Sequence, residues 1–171
     1  MNKTSLVEVN KLGDAAFDAQ FGNVAEHSPW VARAAALKRP FTSVSHMISC
    51  FEQSVQEESR DLQLALIKAH PDLAGKAALA GEVAAASREE QAGAGLDTLT
   101  KDEMVRFQTL NDAYCDKFSF PFIFAVKGAT KYQILDAFVE RMDNSVETEF
   151  DTALAQIARI FRFRIEDSVD P

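Results

Sequence analysis

The run Phe150-Asp151-Thr152-Ala153-Leu154-Ala155-Gln156-Ile157-Ala158-Arg159-Ile160-Phe161-Arg162-Phe163-Arg164 decides the fold class. Phe150, Leu154, Ile157 and Phe161 recur at steps of three or four. At about 100° per residue those steps line them up along one side of an α-helix. A half-buried strand would need alternation in twos, which is absent. A further step of three reaches Arg164, which therefore lies on the apolar stripe. Arg159 falls roughly opposite Phe150, and Arg162 well off the stripe. An arginine aimed inward needs a carboxylate, carbonyl oxygens or an anionic ligand, because an unpaired buried charge is costly. Two readings of Arg164 stand: a structural residue, ion-paired or snorkelling its stem out near the helix end, and a ligand-binding residue.

The same rhythm runs through nearly the whole chain. Ser28 and Pro29 fit the N-cap and first position of a helix through Val31–Leu37, which Pro40 ends. Thr42 or Ser43 can cap the next, with Val44, Ile48, Phe51 and Val55 on one face. Ser59 can cap a short helix from Arg60 to Ala69, stopped by Pro71. Ala74 to Ala86 reads as helix despite Gly75 and Gly81. Ser87-Arg88-Glu89-Glu90 fits a capping box, and Gln91 to Leu96 a helix end or loop. Thr100 with Glu103 fits a second box, opening a helix to about Lys117. Phe118 to Lys127 is aromatic, β-branched and broken by Pro121, and reads as a buried extended loop. Two helices follow, Lys131–Met142 and Ser145–Asp167. No repeat, linker or low-complexity tract interrupts residues 1–171. The expectation is an all-α, irregular single-domain helical bundle.

Composition removes several function classes. The chain has 171 residues, which suits one domain with one core. Its formal net charge is −8 and it has no long Lys/Arg run, so a nucleic-acid partner is not expected. No stretch approaches the roughly 20 apolar residues of a membrane span. The first residues lack the apolar core of a signal peptide, and Ser168-Val169-Asp170-Pro171 is no peroxisomal address. Cys50 and Cys115 form no CxxC pair and are expected to be reduced thiols in a cytoplasmic protein. The histidines His27, His46 and His70 show no HxxxH or HExxH spacing. His46 and Cys50 would make only half a zinc site, so no metal is expected. Gly93-Ala94-Gly95 lacks the preceding strand and third glycine of a nucleotide loop.

Two further places can carry chemistry. His70 sits between a helix end and Pro71, which turns it away from helical backbone angles. Nearby helix carbonyls favour its protonated form. It can cap the helix end, or donate a proton near neutral pH. Asp72 could be its partner or cap the next helix. Glu90 completes the box with Ser87. The same helix start would also offer backbone N–H groups to a small ligand, with Ser87, Glu90 and Gln91 adding a hydroxyl, a carboxylate and an amide.

Four longer stretches stand in order: Glu26-His27-Ser28-Pro29-Trp30-Val31-Ala32; Ala69-His70-Pro71-Asp72-Leu73-Ala74-Gly75-Lys76; Ser87-Arg88-Glu89-Glu90-Gln91-Ala92-Gly93-Ala94-Gly95-Leu96; and Phe120-Pro121-Phe122-Ile123-Phe124-Ala125-Val126-Lys127-Gly128. With them the chain closely resembles the 2-oxo-4-hydroxy-4-carboxy-5-ureidoimidazoline (OHCU) decarboxylases. Phe163-Arg164-Ile165 stands where that family usually has Leu-Arg-Leu, and Phe124 fills a position that is often smaller. These departures touch pocket detail rather than the reaction.

The resemblance implies an all-helical homodimer that decarboxylates OHCU to (S)-allantoin in urate catabolism, a carboxy-lyase without cofactor. It implies His70 as catalytic acid, with Glu90 and Arg164 in the same pocket. Pro71, Ser87, Gln91 and the backbone of Phe122, Ile123, Phe124, Ala125 and Val126 are the expected substrate contacts. Glu90 would accept ureido or ring N–H bonds, or fix the His70 tautomer; Arg164 would orient the substrate, paired or not with Glu90. The rival reading is a non-enzymatic helical interaction module, with Arg164 and Glu90 structural. Between them lies an inactive relative of a domain fused elsewhere to a urate-pathway hydrolase.

Overall fold

Helix starts follow local capping chemistry along most of the chain. The computed structural model describes residues 3–74 and 85–171. Ser43 caps α4 (Val44–Gln56), its hydroxyl accepting from the His46 N–H at 3.0 Å. Ser59 does the same for α5 (Arg60–Ala69), accepting from Leu62 N at 3.3 Å. Thr100 and Glu103 form the expected reciprocal box at the head of α7 (Lys101–Phe118). Thr130 and Gln133 form another at α8 (Lys131–Arg141). The remaining helices among the described residues are α1 (Leu6–Val9), α2 (Asp14–Phe21), α3 (Trp30–Ala36), α6 (Ala85–Gly93) and α9 (Val146–Ser168). The all-α class holds. No described helix is long and apolar enough to cross a membrane.

Two expected caps are displaced. Ser28 does not cap α3: Pro29 takes that position and no side-chain bond closes the end. The cause is the approach. His27 has φ +57°, Ser28 N donates to Ala25 O, and Ser28 O accepts from Val31 N, so Ser28 already lies in a turn. Ser87 is likewise not an N-cap, because α6 is already running at Ala85. Alanine is the strongest helix former, so Ala85 and Ala86 extend the helix past the residue that looked like its start. Most of the helix expected over Ala74 to Ala86, with Gly75 and Gly81, lies outside the described residues.

The chain groups into two compact units: the described residues of Met1–Ala69 with Ile157–Pro171, and those of His70–Gln156. The first unit packs α2 on α3 and α3 on α4. Its core holds Phe17, Phe21, Met47, Phe51 and Phe161. A two-residue parallel bridge pairs β1 (Thr4–Ser5) with β2 (Val169–Asp170). The second unit packs α7 against α8. Its core is aromatic: Phe122 stacks on Phe138 at 3.6 Å between ring centres, with Tyr114 edge-on to Phe122 at 5.2 Å.

Candidate active site

In the second unit, His70 follows the end of α5 and is buried, 7% exposed. Pro71 and Asp72 are half-buried behind it. Burial, and next the charge of Asp112, push the Asp72 carboxyl above its ordinary range. The following peptide, Leu73–Ala74, is gripped from both sides. The Leu73 carbonyl accepts from Asn111 Nδ2 at 2.8 Å, and the Ala74 N–H donates to Gln91 Oε1 at 3.1 Å. Ala74 sits at φ +51°, an uncommon place for a residue with a Cβ.

Within α6, Ser87 and Gln91 are one turn apart, so both face inward, and both are buried. Glu90 shares that side and is half-buried. The helix thus presents Ser87, Glu90 and Gln91 together, as expected. Gln91, expected as a substrate contact, has its amide oxygen on the backbone of the His70 turn.

The segment after α7 is extended and mostly buried, as read from its composition. Phe122, Ile123, Ala125 and Val126 are buried and Phe124 half-buried. Side chains hold its backbone. Arg141 Nη1 donates to the Ile123 carbonyl at 2.7 Å, and Gln156 Oε1 accepts from the Ala125 N–H at 2.9 Å. Of the backbone N–H groups expected to meet substrate, that of Ala125 is therefore engaged by Gln156.

Arg141 belongs to a buried knot. Its guanidinium grips Glu149 with bonds of 2.7 to 3.2 Å and lies 4.2 Å from the Phe122 ring centre. Asn144 Nδ2 and the Tyr114 hydroxyl also donate to Glu149. Burial alone would raise the Glu149 carboxyl, but the bonds from Arg141, Asn144 and Tyr114 outweigh it and hold it below its ordinary range. Burial, then the bond to Glu149, pushes the Tyr114 hydroxyl far up.

In the first unit, Arg164 turns inward as its stripe predicted and is 8% exposed. Arg159 and Arg162 are exposed. Arg164 Nη1 donates to the carbonyls of Asn23 and Val24, each at 3.3 Å, and Nη2 lies 3.8 Å from Glu26 Oε2. Glu26 is itself only 1% exposed. Its role was missed, although it opens the first quoted stretch. Asn111 and Arg141 were missed too, yet both were detectable. Phe107, Asn111, Tyr114 and Phe118 step by four, three and four, as Ile134, Phe138 and Arg141 step by four and three. Each series therefore carries a polar residue on an apolar stripe.

The thiols offer no second site. Burial is the main reason both Cys50 and Cys115 are held above the ordinary thiol range, so thiolate is scarce. Among the described residues, no group of three or more His, Cys, Asp or Glu side chains is placed to hold a metal.

Known proteins place this arrangement. The family model for OHCU decarboxylase matches residues 10–166. The chain belongs to the OHCU decarboxylase family. It is 41% identical to the 2-oxo-4-hydroxy-4-carboxy-5-ureidoimidazoline decarboxylase of Haloferax volcanii, over 98% of this chain and 97% of that one. It is 40% identical to the uric acid degradation bifunctional protein of Bacillus subtilis, over 95% of this chain but 32% of that longer protein. A crystal structure of (S)-allantoin synthase matches with a TM-score of 0.78 and 30% identity, over 98% of this chain and 55% of that one. As a member of this family the chain is a decarboxylase, a carboxy-lyase, which removes the interaction-module reading.

Proposed function

We propose that this OHCU decarboxylase family member converts OHCU to (S)-allantoin in urate catabolism, with His70 delivering the proton and with no metal or organic cofactor. What carries the reading is the 41% identity to a named OHCU decarboxylase, sustained over nearly the full length of both chains. The buried His70, on a turn held from both sides, is the structural feature that fits it.

The substrate carries its carboxylate on a carbon beside a ring C=N bond. Breaking that C–C bond releases CO₂ and leaves an electron pair that the imine and ring carbonyl delocalise. The substrate is therefore its own electron sink, which is the task pyridoxal or thiamine would otherwise perform. The protein must hold the breaking bond in line with the π system. The former imine nitrogen takes up a proton, and the hydroxyl on the carbon that lost CO₂ gives up its own to become a ring carbonyl. The protein must also protonate one face of the neighbouring ureido-bearing carbon, because one enantiomer forms. His70 gives that proton and regains one from solvent.

Arg164 acts as an orienting group. A guanidinium bound too tightly to the leaving carboxylate would oppose the reaction, since that charge disappears in the transition state. Glu90 accepts ureido or ring N–H bonds, or holds the His70 tautomer. Ser87, Pro71 and the 122–126 backbone complete the contacts. The family reading also carries a homodimer and a cytoplasmic enzyme, which sedimentation and cell fractionation check.

The test is the purified chain with freshly generated OHCU, followed by circular dichroism of the product. Accelerated formation of one enantiomer is expected, unchanged by dialysis against chelator. His70→Asn should nearly abolish it with the helical fold intact. A fully stereospecific His70→Asn protein, or a chelator loss restored by zinc, would overturn this mechanism.

A further inference from the structure

Asn111 has no part in the chemistry above, yet it is built like a residue with a task. It lies on the buried stripe of α7, 2% exposed. A residue there for packing alone would be apolar, because a buried amide must find partners for every donor and acceptor. Among the described residues Asn111 Oδ1 finds none. The Nδ2 end reaches the carbonyl of Leu73, 38 positions away in sequence, at 2.8 Å.

That carbonyl belongs to the same peptide group whose N–H donates to Gln91 Oε1. One peptide plane is thus held at its oxygen by an amide from α7 and at its nitrogen by an amide from α6. A peptide held at one end can still rotate about the neighbouring bonds; held at both, its orientation is set. The grip also explains how Ala74 keeps φ +51°, a region where residues with a Cβ persist only when the surroundings impose it. Only Pro71 and Asp72 separate the gripped peptide from His70, and the proline ring fixes one of the torsions between them. The boundary between the two compact units falls between Ala69 and His70, so His70 is the first residue of the unit in which the grip is built.

We propose that Asn111 is a positioning residue for the decarboxylation. By holding the Leu73–Ala74 peptide it sets where the His70 imidazole stands relative to the carbon that takes the proton. This rests on the reading of His70 as the acid. Asn111 touches no reacting atom; it works through the turn.

The experiment compares Asn111→Leu, of similar size without the donor, Asn111→Ala, and His70→Asn. Each is assayed for kcat, KM, product enantiomer by circular dichroism, and thermal melting. For both Asn111 variants we expect a folded protein and a KM within about threefold of the parent. We expect kcat to fall about tenfold to a hundredfold, since small misplacements of a catalytic group cost this much, and the allantoin to lose enantiomeric purity. A merely structural residue would shift melting without touching the enantiomer ratio. If His70→Asn keeps parental rate and stereospecificity, the acid reading itself fails and takes this proposal with it. If His70→Asn is inactive while both Asn111 variants keep parental kcat and purity, the acid reading stands and the positioning role is overturned. Failure of both Asn111 variants to fold would make Asn111 a core residue and overturn it as well.

Discussion

Arg141 and Arg164 hold matching places in their helices. Each continues an apolar stripe, and each is 8% exposed. Their surroundings differ. Arg141 makes bonds of 2.7 to 3.2 Å to a carboxylate with no exposure, and one of 2.7 Å to a carbonyl. Arg164 meets two carbonyls at 3.3 Å and a carboxylate at 3.8 Å within its own unit. Bonds to charged groups are ordinarily shorter than that. The same sequence signal, an arginine on an apolar stripe, thus leads to two different surroundings. One arginine locks a core. The other, which meets the Asn23 and Val24 carbonyls, is the one we assign to substrate.

The largest effect that could break this contrast is on stability. Arg141→Leu removes the partner of a fully buried carboxylate and should cost about 3–5 kcal/mol in urea unfolding. The double variant Arg141→Leu/Glu149→Leu should recover much of it, because a well-packed apolar pair is often no worse than a buried ion pair. A single variant as stable as the parent would show that the knot does not lock the core.

Arg164→Lys probes the other side. It keeps the charge and loses the planar fork. We expect kcat/KM to fall about tenfold to a hundredfold, the equivalent of one charge-assisted bond, with little change in melting. A variant that melts early and turns over normally would put Arg164 in the same class as Arg141.

The knot also sets a pH dependence. The carboxyl of Glu149 is depressed in the folded chain relative to the unfolded one. Its contribution is therefore fully present above the unfolded value, about 4.3. It is lost as pH falls from there through the lower folded value. Melting of the parent should drop across that acid window, and that of the double leucine variant should drop less. Parallel curves would mean that Glu149 is not the group responsible.

How legible this was depends on how local the cause is. The Thr100–Glu103 box and the Ser59 cap involve residues within three of each other, so sequence alone places them. Arg164 was legible because a stripe needs only one helix. The same rule finds Asn111 and Arg141, but not their partners: Leu73 and Ile123 lie on other segments, and only folding brings them near. Ser87 misled because a capping box looks the same whether or not alanines before it extend the helix. The β1–β2 bridge joins chain ends through two residues each, too few to show alternation. The residues expected to act together separate likewise. Ser87, Glu90 and Gln91 could be grouped by helical spacing. The bond from Gln91 to the His70 turn could not.

The finest test concerns Tyr114, the knot's hydroxyl donor. Its ring is fully buried and its hydroxyl donates to Glu149 Oε2. Tyr114→Phe removes only the oxygen and keeps the edge-on packing against Phe122 and Phe138. Glu149 is not orphaned, because Arg141 Nη2 stays 2.7 Å from the same oxygen and Asn144 2.7 Å from the other. The cost should therefore be one bond to a charged acceptor, about 1.5 kcal/mol, below that of Arg141→Leu. Turnover should barely change, since Arg141 still holds the Ile123 carbonyl. In the Arg141→Leu background the same substitution should cost more, because the hydroxyl is then one of the two remaining donors described on Glu149. Urea unfolding of the singles and the double measures that coupling. Equal losses in both backgrounds would mean that Tyr114 and Arg141 act on Glu149 independently, and the knot would be a set of separate contacts rather than one cooperative group.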